Sequence, residues 1–403
     1  MGIRTVSVNR MIMSYLLAIY CILLPFEEVF VLSFGSVLRI FGLLVLAVAF
    51  VFMAANHFKM QLKWLWLLGW LLFSAVSVVW ASSYEWWQYF FAIYAGQIAF
   101  VFFVAHLPSS YVNLNIVKNG LIAGAALAAL VLIVSPKQSS FTSDGRRTIM
   151  FLNAKMDPNI LAIIIVIAIF CVLSMYQSGR RPIYTVGVLL VILLLITGVF
   201  LTGSRGAVIA LVLSALLMAS LILRNKRKKK TAFYVLLALA AAILLLYFVL
   251  PDNLLDNRYS MANLFGLNEY DNKMHNRYTI WQNAIPLFAK KPIFGYGCGS
   301  FFSVIQSVYK KSAAHNLIVL ELIESGIIGS IPLFVFLTKT AVQAKKYCEV
   351  TDFCMWISVL VFSLTLDSIP FKYFWVALML ISVAIKQNRE RRIIDDQRYH
   401  TGV

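Results

Sequence analysis

His315 and Asn316 stand at the mouth of an apolar run, LIVLELIESGIIG (317–329). An imidazole with an ordinary pKa near 6.5 can take a proton at neutral pH, and a carboxamide beside it can orient the ring or a substrate hydroxyl. Other residues carry a different chemistry. Arg205 lies in the short link TGSRGA (202–207), and Arg277 lies in HNRYTIWQNAIPLFAKKPIFGYGCGSF (275–301). A guanidinium is a planar fork suited to bidentate binding of phosphate oxygens. The types present therefore offer a proton acceptor and anion ligands. Cys21, Cys171, Cys298, Cys348 and Cys354 are scattered, with no pair at metal or redox spacing, so no metal site and no cofactor is expected.

The elements that must position these groups are membrane helices. Of the 403 residues 61% are apolar and 13% charged, and apolar runs of roughly twenty residues recur, the length that crosses a bilayer core of about 30 Å. Twelve spans are expected, near 11–25, 36–55, 62–81, 87–106, 116–135, 158–176, 184–202, 206–223, 231–250, 315–337, 353–368 and 371–386. The first run lacks a small-residue cleavage site after it and reads as a span. An even count puts both termini on one side, and the basic links 56–63, 179–181 and 224–230 and the tail 386–392 all fall there, which makes that side cytoplasmic. Most of the formal charge of +18 is spent in these links, so nucleic acid is not an expected partner. The acidic pair Glu27 and Glu28 falls outside.

Positive charge on the external face runs against the orientation rule and asks for another reason. Arg205 sits there in a link of two or three residues, at the level of lipid head groups. Arg277 sits in the one large hydrophilic segment, 251–314, the economical place for an extramembrane site. There Arg277, Trp281, Ala284, Ile285 and Phe288 form one stripe of a short amphipathic helix, lying on the membrane or capping the bundle, with Arg277 expected in its first turn beside free amides. Pro292 would close that helix, and Gly295, Gly297 and Gly299 make a glycine-rich turn after it. On a continuous helix His315, Leu322, Gly326 and Gly329 share a face within about 60°, which implies close packing against a neighbour with the imidazole held at its outer end. Glu321 and Glu324 point elsewhere, and at that depth each needs a partner.

These residues carry a resemblance. His315-Asn316, nine residues, Gly326, two residues, Gly329 resembles the H-[NSQ]-x9-G-x-x-[GTY] signature of O-antigen ligases. Arg277 and Trp281 followed by Pro292 and Gly295 resemble the R-x-x-x-W and P-x-x-G pattern of the O-antigen ligase and Wzy-type polymerase superfamily, and SRGA (204–207) and DPNILA (157–162) sit where that family has similar motifs. The resemblance implies an all-α integral membrane fold of about 12 transmembrane helices, GT-C-like, with one long external loop before a late helix. Residues 1–250 would form the bundle of about nine helices, 251–314 the external loop, 315–386 the C-terminal helices and 387–403 a basic cytoplasmic tail.

It further implies a bacterial inner-membrane enzyme, an inverting, metal-independent glycosyltransferase. It would move a glycan from an undecaprenyl diphosphate carrier to a sugar hydroxyl on the external face. The acceptor would be another carrier-linked glycan for a polymerase, the preferred reading, or lipid A core for a ligase. Membrane lipids surround it, and a flippase and a chain-length regulator are further candidate partners. His315 is then the general base, with Glu321 next in line. Arg205 and Arg277 are diphosphate ligands with Arg147 a weaker third, and Asn316, Trp281, Gly326 and Gly329 play supporting roles. A lipid-linked glycan transporter is the reading from another class, and it expects repeated halves and midplane ion sites.

Overall fold

The computed structural model describes residues 2–32, 35–56, 58, 60–135, 146–151, 154–176, 182–223 and 272–401. The described chain is a helix bundle: α1 (Gly2–Leu23), α2 (Val37–Ala54), α3 (Lys63–Val76), α4 (Tyr84–His106), α5 (Leu114–Val134), α6 (Pro158–Met175), α7 (Pro182–Leu201), α8 (Arg205–Leu223), α9 (Asn272–Lys290), α10 (Phe301–Gln306), α11 (Leu317–Tyr347), α12 (Val350–Phe362) and α13 (Lys372–Thr401). Two antiparallel ribbons, Val31–Leu32 with Gly35–Ser36 and Met150–Phe151 with Ala154–Lys155, complete it. Seven helices, α2, α4 to α8 and α11, are long and apolar enough to cross a membrane, and Met11–Phe26, Lys63–Val79 and Val350–Phe362 are shorter apolar helices.

Helices fall on all the expected spans except 231–250, which lies outside the described residues. Two boundaries differ. α12 stops at Phe362, so 363–371 is a connection and not the end of a span, and α13 continues as one helix to Thr401, so the expected tail is helical.

α6 occupies the centre. Its sequence, PNILAIIIVIAIFCVLSM, is apolar on every side and buried along most of its length, as an all-round apolar helix must be. Asp157 caps it, its carboxylate accepting from the amides of Asn159 (2.6 Å) and Ile160 (3.3 Å), and Pro158 takes the first helical position, where no amide is missed. α1 and α5 meet at backbone distance, for a Cβ at Gly120 or Gly124 would stand 2.5 and 2.6 Å from the carbonyl oxygens of Ala18 and Ile22.

The connections segregate to two ends. At one, Lys386 Nζ donates to the carbonyls of His106 and Leu107, Gln387 to those of Ser109 and Val112, and Asn56 to the Tyr111 hydroxyl. At the other, the Ser82 amide donates to the Tyr296 carbonyl, the Asp157 amide to Glu28 and the Asn316 amide to Asp367, and Lys372 pairs with Glu27. The first group are links expected to be cytoplasmic and the second are links expected to be external. Reporter fusions after Lys346 should therefore read cytoplasmic and one near Asn272 external. A cytoplasmic reading at Asn272 would separate the site below from an external substrate.

Candidate functional site

α11 begins at Leu317, because Asn316 caps it: the Asn316 Oδ1 accepts from the amides of Ile318 (2.9 Å) and Val319 (3.2 Å), and its Nδ2 donates to the Leu364 carbonyl (3.1 Å). Asn316 thus serves the backbone through both ends of its carboxamide, with one of the two Nδ2 hydrogens given to Leu364. His315 precedes the helix in a left-handed conformation, φ 51°. A side-chain-bearing residue holds that conformation at a cost of about 1–3 kcal/mol, and only when its surroundings over-determine it. Here they do. The Asp367 carboxylate accepts the amides of Asn316 (3.0 Å), His315 and Ala314, and the Leu317 amide is bound by the Ser363 carbonyl (2.8 Å). The His315 Nδ1 is buried and has no hydrogen-bond partner among the described residues.

The expected helical face shared by His315, Gly326 and Gly329 is therefore corrected. His315 is off the helix, and Gly326 has φ 59° and ψ −168°, a break in α11. What enters the break is backbone. The amides of Ile327 and Ile328 donate to the carbonyls of Pro292 (2.9 Å) and Ile293 (3.1 Å), and those of Tyr296 and Gly297 donate to Ile323 (2.9 Å) and Glu324 (2.8 Å). The P-x-x-G turn is the strap that re-stitches a cut helix. Gly329 meets a neighbouring helix as expected, through the ring of Phe73 on α3.

Both buried glutamates have partners. Glu321 accepts from the Trp70 indole (2.9 Å), and Glu324 accepts the amides of Gly299 (2.8 Å) and Phe301 (3.0 Å) at the start of α10. Glu324 lines the cavity described below and Glu321 does not.

α9 caps the site. Its buried stripe is Ile280, Ala284 and Leu287, set against Phe301, Ile305, Leu320 and Ile323. Ile285 is 67% exposed and not part of the stripe. The reason is the anchor: the Trp281 indole donates to the Ala314 carbonyl (2.9 Å), next to His315, and this fixes the roll of the helix. Arg277, one turn earlier, lies close enough to act electrostatically on His315 and Asp367. α9 begins at Asn272, so Arg277 is past the first turn and the amides of the helix start are not its companions, contrary to expectation.

His315 lines a cavity of about 670 Å³ together with Asp157 and Asp367. Arg39 and Lys372 supply its cations, and Trp86, Tyr89 and Phe90 an aromatic wall. An apolar sector of Leu43, Leu46, Ile93 and Gly96 runs between α2 and α4. Arg205, Arg277 and Arg147 are not in the wall. Arg205 opens α8, and Gly206 beside it packs against Thr365, two residues from Asp367. Arg147 turns the other way, its Nη1 donating to the Leu132 carbonyl (3.0 Å). Its neighbour Arg146 ties the connections at this end of the bundle together through the Thr202 carbonyl (3.1 Å) and Asn159 Oδ1 (2.5 Å), which also accepts from the Ser204 hydroxyl (3.0 Å). The S-R-G-A and D-P-N-I-L-A segments thus meet through Asn159.

Burial disfavours the charged form of His315, Asp367 and Glu28. It pushes the imidazole of His315 down to about 4, with Arg277 lowering it further and Asp157 opposing, so the ring is neutral at physiological pH. It pushes Asp367 up to about 6 against the pull of the three amides and Arg277, and it raises Glu28. Sequence reasoning missed Arg39, Asp157, Asp367 and Lys372 as site residues. Arg39 could have been found by the wrong-side test that selected Arg205, since it stands at the outer end of the second span.

Residues 189–334 match the Wzy_C family model, described as O-Antigen ligase. No curated protein matches the chain. Among solved structures, one described as "Structural coordination of polymerization and crosslinking by a peptidoglycan synthase complex" matches with a TM-score of 0.47 and 13% identity over 81% of this chain and 97% of that one. A likeness at that score carries no weight for function. The matched segment contains α8 with Arg205, the cap with Arg277 and Trp281, and His315 with the broken helix behind it, and over that segment this membrane protein is similar to the O-antigen ligase family.

Proposed function

We propose that the protein transfers a glycan from an undecaprenyl diphosphate carrier to a sugar hydroxyl at the external face of a bacterial membrane, as a polymerase of a cell-surface polysaccharide. The observation that carries this is His315: a neutral imidazole with an orphan nitrogen, clamped in a left-handed turn on the wall of a cavity that carboxylates and cations share. A buried polar atom left without a partner at such a place asks for a bound group to complete it.

In the proposed reaction the acceptor oxygen attacks the anomeric carbon and the bond to the diphosphate oxygen breaks. The hydroxyl proton passes to His315, and the electron pair leaves on the diphosphate, where arginine forks hold the developing charge. One displacement inverts the anomeric centre. Arg277 beside His315 and Arg205 beside the 363–367 connection are the proposed ligands, Arg39 on the cavity wall joins them, and Arg147, spent on a carbonyl, remains the weakest of the four. The apolar sector between α2 and α4 has the chemistry to take the first isoprene units of the carrier.

Two measurements test this reading. Purified protein given a synthetic diphosphate-linked repeat unit should build a ladder of longer carrier-linked glycans, and the ligase reading, which the description of the matching family favours, instead expects a conjugate on lipid A core. Absence of both products would refute glycan transfer. Arg205→Lys and Arg277→Lys should each lower turnover about 10- to 100-fold, since a point charge cannot replace a charge-assisted fork worth about 1.5–3 kcal/mol. Wild-type turnover in both lysine variants would reduce the arginines to a general electrostatic role.

A further inference from the structure

The end of the bundle away from the cavity has a buried charge of its own. Lys63 opens α3 and is 3% exposed; its Nζ lies over the Trp64 ring, 5.8 Å from the centroid, and has no hydrogen-bond partner among the described residues. A cation buried at a helix start is placed badly twice over: it is out of water, and it faces the positive end of the helix dipole. Leu62, the residue before it, offers no capping side chain. Among the described residues, no salt-bridge carboxylate reaches the Lys63 ammonium. Arg389 of α13 and Cys348 after α11 act on it electrostatically, as does His106 at the end of α4, and Lys386 acts on His106 in turn. The His106 ring donates through Nδ1 to the Phe102 carbonyl (2.7 Å), and its Nε2 is buried without a partner. The Gln61 carboxamide oxygen, two residues before Lys63, is also unpartnered, and a carboxamide turned over presents its N–H groups in the same place.

We infer that the α3 helix start, Lys63 and Arg389 form a site for a phosphate group at the basic end of the bundle, occupied by the head group of an anionic phospholipid. An anion there reverses each cost at once: it pairs the buried ammonium, it suits the helix dipole, and it separates Lys63 from Arg389. The lipid source follows from what lies beside the cations. Met60, Leu62 and Leu65 are 42, 80 and 48% exposed, an apolar edge for acyl chains directly next to the charge. Basic pockets between membrane helices at the side expected here to be cytoplasmic are the setting in which head-group phosphates bind. This site is independent of the glycan-transfer reading and of its cavity.

The test uses the purified full chain in a neutral detergent, with phosphatidylglycerol, phosphatidylcholine and inorganic phosphate as probes, read by native mass spectrometry and by the thermal unfolding midpoint. Phosphatidylglycerol should be retained and should raise the midpoint, and phosphatidylcholine should do neither. Arg389→Ala, at an exposed position, should weaken retention about fivefold, the effect of one basic residue at a membrane surface. Lys63→Met, which keeps the apolar stem, should weaken it more. A Lys63-dependent shift with inorganic phosphate alone would overturn the lipid assignment and leave a soluble anion as the occupant. Equal retention of phosphatidylglycerol by the wild type and both variants would overturn the site.

Discussion

Replacing His315 by alanine should lower glycan transfer by about 10²- to 10⁴-fold, the contribution of a positioned general base, with the protein still accumulating in the membrane. That corresponds to about 2.7–5.5 kcal/mol of lost transition-state stabilisation. The fold should survive, because the backbone of the turn is held by Asp367 and Ser363 and not by the imidazole, and alanine relieves none of the positive φ but adds no clash. The pH profile makes the test specific. Burial and Arg277 hold the free imidazole at about 4, so its basic form is complete above roughly pH 5 and the acid limb of kcat/KM, which reports free enzyme, should lie near pH 4 and not near 6.5. A diphosphate bound at Arg277 cancels the neighbouring positive charge and favours the imidazolium, which raises the pKa in the complex. The acid limb of kcat should therefore stand at higher pH than that of kcat/KM. Transfer by His315→Ala at most of the wild-type rate would move the base elsewhere, with Asp367 and Asp157 on the same wall as the next groups to examine. Coincident limbs would separate the diphosphate from His315.

The same pKa bears on stability. A histidine whose pKa is about 4 when folded and near 6.5 when unfolded contributes its full stability above pH 6.5. That contribution falls as the pH drops, because the unfolded chain binds the proton first. Thermal midpoints of the wild type should fall between about pH 6.5 and 4 more steeply than those of His315→Ala.

What could be read from the sequence was whatever depends on local composition. Apolar length gave the spans, and the Asn316 position gave a helix start, whereas wrong-side charge singled out Arg205 and Arg277 without showing what they bind. What could not be read depends on residues far apart in the chain. Asp367 stayed hidden because the run FSLTLDSIPF looks like the end of a span, and only the stop of α12 at Phe362 turns it into a connection whose carboxylate reaches back to residue 314. Helical periodicity placed His315 and Gly326 on one face, but periodicity has no means of showing that another segment supplies hydrogen bonds from outside the helix. Arg277 and Trp281 illustrate the division. Their spacing put both on one side of a helix, yet the partner that sets the roll of that helix, the Ala314 carbonyl, belongs to a turn more than thirty residues away.

Gly326 should be the least replaceable residue for folding, and alanine should be enough to show it. At φ 59° and ψ −168° the backbone lies in territory that is essentially reserved for glycine, and a side chain there costs about 1–3 kcal/mol before any contact is considered. Contact makes it worse. A Cβ at 326 would stand 2.5 Å from the carbonyl carbon of Ile293 and 2.6 Å from the Gly295 amide, both backbone atoms that a rotamer change cannot move. Relief would require the 292–297 strap to withdraw, which unmakes its four bonds with α11 and leaves amides and carbonyls buried without partners, at about 1–3 kcal/mol each. Gly299, whose amide Glu324 binds, follows the strap directly, and the strap leads back to the cap that holds Trp281 against Ala314. Loss of the stitch should therefore remove the support of His315 as well as stability. Gly326→Ala is expected to accumulate poorly and to elute from size exclusion as aggregate, with no measurable transfer. Two other glycines calibrate the result. At Gly329→Ala the nearest atoms are those of the Phe73 ring, a side chain that can turn aside, and part of the midpoint should be lost, whereas Gly69→Ala adds a methyl group where nothing lies within 4 Å and should keep the wild-type midpoint. If Gly326→Ala unfolds at the wild-type midpoint, then the break in α11 is closed in the working protein and the strap does not hold it open.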